Sequence, residues 1–250
     1  MATPLIAAEP PRVLAVFAHP DDEIVVAPAL AAAARGGAHV RIVYATAGDA
    51  AAPETRLQPG AAIAALRTGE ARCAARALGA VEPIMLGFGD GKLGEIVRPP
   101  AATLTRLREA IAAVIATERP DIVVTWGPDG GYGHPDHRLV SAVVTELLAS
   151  RAQRPLLLHA ALAAGSVPPV PEMDRWAVEQ PELITVRTAH TPGDLAATAK
   201  AVDCHKSQFS AVIRAGLVPL FAGSVWKDGV AFRAPLDPAR GDVLGRAIAD

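Results

Sequence analysis

Two short clusters of histidine and carboxylate side chains carry the ligand chemistry of this 250-residue sequence. HPDDE begins at His19, with Asp22 three residues later, and HPDH runs from His134 to His137. Imidazole nitrogen and carboxylate oxygen are suitable ligands for Zn²⁺, and a catalytic zinc typically keeps three protein ligands and one open position. The four donors therefore predict a zinc site with three ligands and one free group. The spacing does not say which histidine stays free.

Two further acids lie between these donors. Asp21 is placed to take a proton from a water activated by the metal. Asp136 stands between the two histidines and could orient one imidazole and raise its basicity. Either cluster alone also fits a simpler interpretation, because acidic and capping residues are common at helix starts. Two such clusters at the ends of two separate strands favour a metal site.

Apolar runs that are typical of buried strands lead towards both clusters. RVLAVFA, residues 12–18, precedes the first, and DIVVTW, residues 121–126, precedes the second. Further strands are predicted at 40–45, 83–86 and 183–186. The predicted helices cover about residues 27–36, 63–78, 101–117, 138–150 and 192–203, with a loop or loose turn over 21–26.

Strands that alternate with helices predict right-handed βαβ units and a mostly parallel sheet. The predicted fold class is α/β, a Rossmann-like three-layer fold with the site at the C-terminal ends of the strands. No repeat or linker divides the chain, so we predict one domain over residues 1–250. Its core covers about 12–160, and residues 161–250 are expected to pack on the core or cover the site.

Composition excludes several function classes. The net charge is −2, the pI is about 6.4 and the basic residues are scattered, so no nucleic-acid partner is expected. No apolar stretch predicts a membrane span, and the N-terminus does not resemble a signal peptide. GPDGGYG lacks the dinucleotide fingerprint. Cys73 and Cys204 lie far apart and are interpreted as unpaired buried residues, which fits the cytoplasm.

AHPDDE together with GHPDH resembles the LmbE-like, or PIG-L, family of zinc-dependent de-N-acetylases. The resemblance is best over residues 12–140 and recurs as CHKSQ at 204–208. The family includes deacetylases of mycothiol and bacillithiol biosynthesis and of N-acetylglucosaminyl-phosphatidylinositol. It implies zinc-dependent hydrolysis of an amide on an N-acetyl amino sugar or a related small N-acyl substrate.

The resemblance also assigns the metal ligands. It implies that His19, Asp22 and His137 bind Zn²⁺, with Fe²⁺ as the alternative metal, and that Asp21 is the general base. The chain departs from many members just after the acids, where IVVAPAL at residues 24–30 replaces a glycine-containing stretch. The ligands survive this change, but the loop beside the pocket is expected to differ in shape.

The resemblance implies roles for five more residues. His134 is left free to act on the oxyanion or the leaving group, and Asp136 would hold it. Tyr132 matches a tyrosine that assists the oxyanion. Arg67 and Asp90 match residues that contact the substrate, Asp90 through its sugar hydroxyls.

Other interpretations stay open at this point. The substrate is expected to be a small, sugar-like N-acyl molecule, but an amidase acting on a thiol conjugate or another N-acyl metabolite fits the same motifs. A non-catalytic sugar- or nucleotide-binding Rossmann-like module is the alternative from another class. Glu23 is interpreted as a structural hydrogen-bonding residue, and His205 either lines the site or lies on a helix face. A homo-oligomer is left open.

Overall fold

The protein is described by a computed structural model over residues 9–95 and 103–236. The strands in these ranges are β1 (Arg12–Phe17), β2 (His39–Thr46), β3 (Ile84–Phe88), β4 (Ile122–Trp126), β5 (Leu156–Ala160), β6 (Val186–Thr188) and β7 (Val230–Arg233). The helices are α1 (Ala27–Arg35), α2 (Ala61–Ala77), α3 (Thr103–Glu118), α4 (Pro135–Ala149), α5 (Pro192–Cys204) and α6 (Ala211–Ala222). Residues 1–8, which form most of the segment predicted not to be a signal peptide, and the first two residues of the predicted third helix lie outside the described residues.

The strands form one sheet in the order β3-β2-β1-β4-β5-β7-β6. Strands β1 to β5 pair in parallel, whereas β7 runs antiparallel to both β5 and β6. The chain first winds outward from β1 to β3 and then returns to β4, beside β1. Such a reversal leaves a crevice at the C-terminal strand ends. The predicted α/β class and mostly parallel sheet are confirmed.

Strand β1 shows how the sheet divides the core. Val13, Ala15 and Phe17 face a core shared with α1, α2, α5 and α6. Leu14 and Val16 point the other way, into a core shared with α3 and α4. Successive side chains of a strand alternate between faces, so an unbroken apolar run requires cover on both sides. The outcome is the predicted three-layer arrangement.

The sequence-based boundaries fail mainly in the last third of the chain. Strands β5 and β7 and helix α6 were not predicted, and the strand expected at 183–186 lies at Val186–Thr188. Short strands near the point where the sheet changes from parallel to antiparallel pairing contain too few residues for a clear hydrophobic period. Helix α4 begins at Pro135 rather than near residue 138, which brings HPDH into its first turn. Helix α5 packs against α1 and α2. The assignment of residues 1–250 to a single domain stays a prediction.

The interpretation of the cysteines as unpaired was wrong. Cys73 on α2 and Cys204 at the end of α5 form a disulfide, with their Cα atoms 5.7 Å apart. They lie 131 residues apart in sequence, so no local spacing could signal the bond. Packing of α2 against α5 brings them together. The predicted cytoplasmic location loses the support that it drew from unpaired cysteines, because structural disulfides are rare in reducing compartments.

Breaking this disulfide should lower the free energy of unfolding. A bond that closes so long a loop restricts the unfolded chain strongly, so we expect Cys204→Ser to cost about 2–4 kcal/mol. Denaturant unfolding of the oxidised protein and of the variant measures the difference. Reductant should lower the stability of the wild type and leave that of the variant unchanged. Equal stabilities under oxidising conditions would contradict the prediction.

No helix in the described ranges is both long and apolar enough to cross a membrane.

Candidate metal centre

The HPDDE segment leaves β1 through a tight turn that its own acids hold together. Asp21 has a φ of 100°, in the left-handed region that few non-glycine residues adopt. The carboxylate of Asp22 accepts the backbone N–H groups of Ala18 (3.0 Å) and His19 (2.9 Å). The carboxylate of Glu23 accepts the N–H of Asp21 at 2.9 Å. The turn therefore fixes where the Asp21 and Asp22 side chains point.

The HPDH segment is set at the start of α4, after β4. Pro135 occupies the first turn, where a missing N–H costs nothing, and His134 caps the helix through its side chain. His137 is fully buried, and its ring stacks on Trp126 with centroids 4.9 Å apart. Its Nδ1–H donates to the carbonyl of Gly130 at 3.0 Å. That bond assigns the hydrogen to Nδ1 and leaves a lone pair on Nε2.

Three donor side chains from these two segments meet across the β1–β4 crevice. His137 Nε2 lies 3.1 Å from His19 Nδ1 and 3.0 Å from Asp22 Oδ1. His19 Nδ1 lies 3.8 Å from Asp22 Oδ2. Zinc bonds of about 2.0–2.1 Å in a tetrahedral arrangement place donors about 3.3 Å apart. These separations, together with the lone pair of His137, fit a small divalent cation between the three side chains.

The other nitrogen of His19 faces two more acids. His19 Nε2 lies 2.9 Å from Asp90 Oδ1 and 3.4 Å from Asp136 Oδ2. Burial lowers the pKa of His19, but hydrogen bonds to Asp136 and Asp90 and the charge of Asp22 outweigh it and raise that pKa to about 10. At neutral pH the ring therefore carries a hydrogen on each nitrogen; a metal bound at Nδ1 would displace the hydrogen there, while the carboxylates hold the one on Nε2.

Two overlapping groups near His19 also have donors close enough together for a metal. One combines His19 with His134 and His137, and the other combines it with Asp90 and Asp136; within each group the donor atoms lie within 4.8 Å of one another. His134 Nδ1 already accepts the N–H of Asp136 at 3.2 Å. The Asp90 group approaches His19 through Nε2 instead of Nδ1. These contacts make His19, Asp22 and His137 the better candidate set of metal ligands.

Asp136 contacts His19 through its carboxylate and His134 through its backbone N–H. Its carboxylate accepts the N–H of Gly91 at 2.8 Å and lies next to His19. His134, which the resemblance links to Asp136, is held by the backbone N–H instead. The roles predicted for the two residues stay predictions.

Asp21 lies beside the ligand cluster with an altered acidity. Burial raises its pKa to about 6; the charge of Arg67 opposes this and that of Asp22 reinforces it. Arg67 Nη2 lies 3.0 Å from Asp21 Oδ2. The pKa of Asp22 moves the other way: burial alone would raise it, but His137 and His19 hold it well below its usual range. The pKa values of these adjacent acids are thus shifted in opposite directions, which suits a proton-transfer role for Asp21 and a permanently charged role for Asp22.

Arg67 is buried and turned inward. Besides Asp21, it donates to the carbonyls of Pro20, Gly48 and Ala51. Gly48 has a positive φ of 63°, and a Cβ there would come within 2.0 Å of Arg67 Nη1. The described contacts of this guanidinium all go to the chain itself, so its predicted contact with substrate stays a prediction.

A buried ion pair behind the site was not predicted from the sequence. Glu23 Oε1 lies 2.7 Å from His205 Nε2, and both side chains are fully buried. Ser207 in the same CHKSQ segment bonds to Glu70 on α2 through both its N–H and its hydroxyl. The only hint in the sequence was that CHKSQ, at residues 204–208, forms part of the family resemblance. His205 faces the back of the Asp21 turn, in agreement with the structural interpretation of Glu23.

Two remaining candidates border the cluster. The ring of His134 lies 4.7 Å from that of His19 and 4.6 Å from that of His137. The ring of Tyr132, 46% exposed, lies 5.3 Å from that of His137. Burial and the nearby histidines lower the pKa of His134. All nine predicted site residues therefore lie at or directly beside one edge of the sheet.

Comparison with known proteins adds a family to this geometry. A family model described as PIG-L, GlcNAc-PI de-N-acetylase, matches residues 14–148, which include both clusters and more than half of the chain. An N,N′-diacetylchitobiose deacetylase from Pyrococcus horikoshii has a similar structure, with a TM-score of 0.67. It is 21% identical, and the match covers 89% of this chain and 82% of that one. At that identity the likeness concerns the fold alone.

Two sequence relatives bear the same name, 1D-myo-inositol 2-acetamido-2-deoxy-alpha-D-glucopyranoside deacetylase. The one from Mycobacterium avium (strain 104) is 37% identical over 147 residues, 52% of this chain and 49% of that protein. The one from Nakamurella multipartita is 36% identical over 220 residues, 79% of this chain and 70% of that protein. The chain spans about half the length of the first of these relatives.

Proposed function

Because the chain belongs to the PIG-L family, we propose that it is a metal-dependent amidohydrolase that removes the acyl group from an N-acetyl amino sugar or a related small N-acyl substrate. One observation carries the proposal. His137 Nε2 lies 3.1 Å from His19 Nδ1 and 3.0 Å from Asp22 Oδ1, and His19 Nδ1 lies 3.8 Å from Asp22 Oδ2, so the three side chains converge next to Asp21. A binding module would need no such base beside a ligand cluster.

We assign His19, Asp22 and His137 as the residues that hold the metal. The donor set of two imidazoles and one carboxylate suits Zn²⁺ and also admits Fe²⁺. When bound, the metal supplies a Lewis acid that polarises the amide carbonyl and lowers the pKa of water. Asp90 and Asp136 would support the site by orienting His19.

Asp21 moves the proton. It accepts a proton from the attacking water, whose oxygen adds to the amide carbonyl carbon. The carbon–nitrogen bond then breaks, and the proton passes from Asp21 to the departing nitrogen, which leaves as an amine beside a carboxylic acid. A carboxylate with a pKa near 6 suits both halves of this transfer. Arg67 acts as a positioning residue through its 3.0 Å contact with the same carboxylate.

His134 and Tyr132 stabilise the oxyanion. Nδ1 of His134 accepts a backbone N–H, so the neutral ring carries its hydrogen on Nε2 and can donate there. The raised pKa of Tyr132, caused first by burial and then by the nearby acids, keeps its hydroxyl protonated. Loss of one such donor typically lowers the rate by about 10²–10³-fold.

The substrate assignment draws on the relatives, whose names specify a 2-acetamido sugar joined to inositol. An amino sugar presents hydroxyls beside the amide, and the partly exposed Asp90 carboxylate is placed to accept one. We therefore propose that the substrate is a sugar-like small molecule. A thiol conjugate would present the same amide.

Removal of the metal tests the proposal directly. The zinc-loaded protein should release amine from N-acetylglucosamine derivatives, and a chelator should lower that rate by at least about 10²-fold. Zinc, and separately Fe²⁺, should restore the rate when added back. Metal analysis of each sample fixes the stoichiometry, and released primary amine is the readout.

Two results would contradict the proposal in different ways. Undiminished turnover by protein shown to be free of metal would exclude the metal role. Stoichiometric zinc without amine release from sugar or thiol-conjugate amides would favour the binding module. For substitutions of the carboxylates of the site, Asp203→Asn is the matched control, because this carboxylate is exposed and pairs with Arg214 away from the site. Its rate should equal that of the wild type.

A further inference from the structure

An apolar cavity of about 210 Å³ opens directly from the candidate metal centre. Asp21 and Asp22 form its polar end. Its remaining wall is dominated by aromatic and aliphatic side chains: Trp126, Tyr132, Trp176, Phe209, Leu217 and Phe221. We propose that this cavity receives the acyl chain of the substrate, and that the preferred chain is a linear one of about four to eight carbons rather than acetyl. The inference rests on the proposed amide hydrolysis.

The position of the cavity relates it to the reacting carbon. An amide carbonyl attacked beside Asp21 and Asp22 carries two substituents, the acyl chain and the nitrogen with its sugar. These leave the carbon in different directions. Because the cavity begins at both carboxylates, it lies where one of these two substituents can be bound.

The wall chemistry decides which substituent enters. A sugar ring carries several hydroxyls, and each loses free energy when it is buried without a partner. The indole N–H of Trp176 already donates to the carbonyl of Glu172. Among the aromatic residues of the described wall, the hydroxyl of Tyr132 remains as a donor, because the indole nitrogen of Trp126 is buried, and one donor is too few for a sugar. An alkyl chain needs none, so the acyl group enters and the sugar stays on the polar side.

The volume decides the length. An apolar cavity of about 150 Å³ accommodates benzene, a molecule of six carbons, so a cavity of about 210 Å³ accommodates a chain of at least similar carbon number. The methyl of an acetyl group would fill a small part of it. Unfilled apolar space forfeits contacts, whereas a chain of four to eight carbons would cover the wall.

The wall comes largely from outside the family match. Trp176, Phe209, Leu217 and Phe221 follow residue 148, where the match ends. Leu217 and Phe221 lie one turn apart on α6, and Ile213, 44% exposed, continues their stripe by one more turn. The stripe gives a longer chain an apolar path out of the cavity.

The decisive experiment compares N-acetyl-, N-butanoyl-, N-hexanoyl- and N-octanoylglucosamine with the zinc-loaded wild type. Each additional buried methylene should raise kcat/KM by about three- to fourfold. We therefore expect the hexanoyl substrate to exceed the acetyl substrate by at least about tenfold. An acetyl substrate cleaved as well as or better than the longer ones would overturn the inference. If none is cleaved by zinc-loaded protein, the proposed function itself fails.

A filling variant separates the cavity from general apolar binding. Leu217→Trp should lower the ratio of kcat/KM for the hexanoyl substrate to that for the acetyl substrate by at least about tenfold. Val212→Trp is the matched control, since Val212 is 82% exposed on the same helix, and it should not change that ratio. Phe209→Ala, which enlarges the cavity, should move the optimum towards octanoyl. Unchanged chain-length profiles in both cavity variants would overturn the inference.

Discussion

Asp21→Asn is expected to lower kcat by about 10²–10⁴-fold while zinc stays bound at its wild-type stoichiometry. The amide cannot accept a proton at neutral pH, so the attacking water keeps both of its hydrogens. The metal ligands are separate side chains, and their distances do not depend on Asp21 being charged. Steady-state amine release and metal analysis of the same sample give both quantities.

The substitution is conservative for the fold, which makes a loss of activity interpretable. Asparagine tolerates a positive φ about as well as aspartate, so the 100° turn at this position is retained. Its side-chain oxygen can still accept from Arg67. The melting temperature should therefore stay close to that of the control, Asp203→Asn. Turnover at the wild-type rate by Asp21→Asn would exclude it as the base.

The general layout of the site followed from the sequence because it depends on local rules. Buried parallel strands appear as unbroken apolar runs, and ligands gather at their C-terminal ends. Two clusters after two such runs therefore predicted one site without any knowledge of the strand order. The order β3-β2-β1-β4 then explains why His19 and His137 come within contact, since β1 and β4 are neighbours.

The support around the site could not be predicted, because it joins residues that the sequence keeps apart. Glu23 and His205 are separated by 182 positions and meet only when α5 packs over the turn after β1. The disulfide depends on the same packing. Arg67 has the helical context expected of a surface residue, yet it is buried because the carbonyls after β1 and β2 surround it. Pairings of this kind leave no periodic pattern to detect.

Asp22→Asn is expected to lower zinc affinity by at least about 10²-fold, above the 10–100-fold range typical of residues that only support a ligand. The turn should survive, because the amide oxygen can accept the N–H groups of Ala18 and His19 as the carboxylate does. The NH₂ group then replaces the Oδ1 atom that lies 3.0 Å from His137 Nε2. This NH₂ group would donate to the lone pair of His137, which is then not free for the metal. The substitution also removes the negative charge that offsets the charge of the cation.

Asp90→Asn is the comparison that identifies the correct donor set. Asp90 lies against the other nitrogen of His19, so its loss should weaken zinc binding by about 10–100-fold, less than the loss of Asp22. Zinc titrations of the two variants and of the wild type, each started from metal-free protein, rank the effects. If Asp90→Asn abolished stoichiometric zinc binding and Asp22→Asn did not, the metal would lie among His19, Asp90 and Asp136. The lone pair of His137 would then have no cation to bind, and the position of Asp21 beside the metal would lose its catalytic meaning.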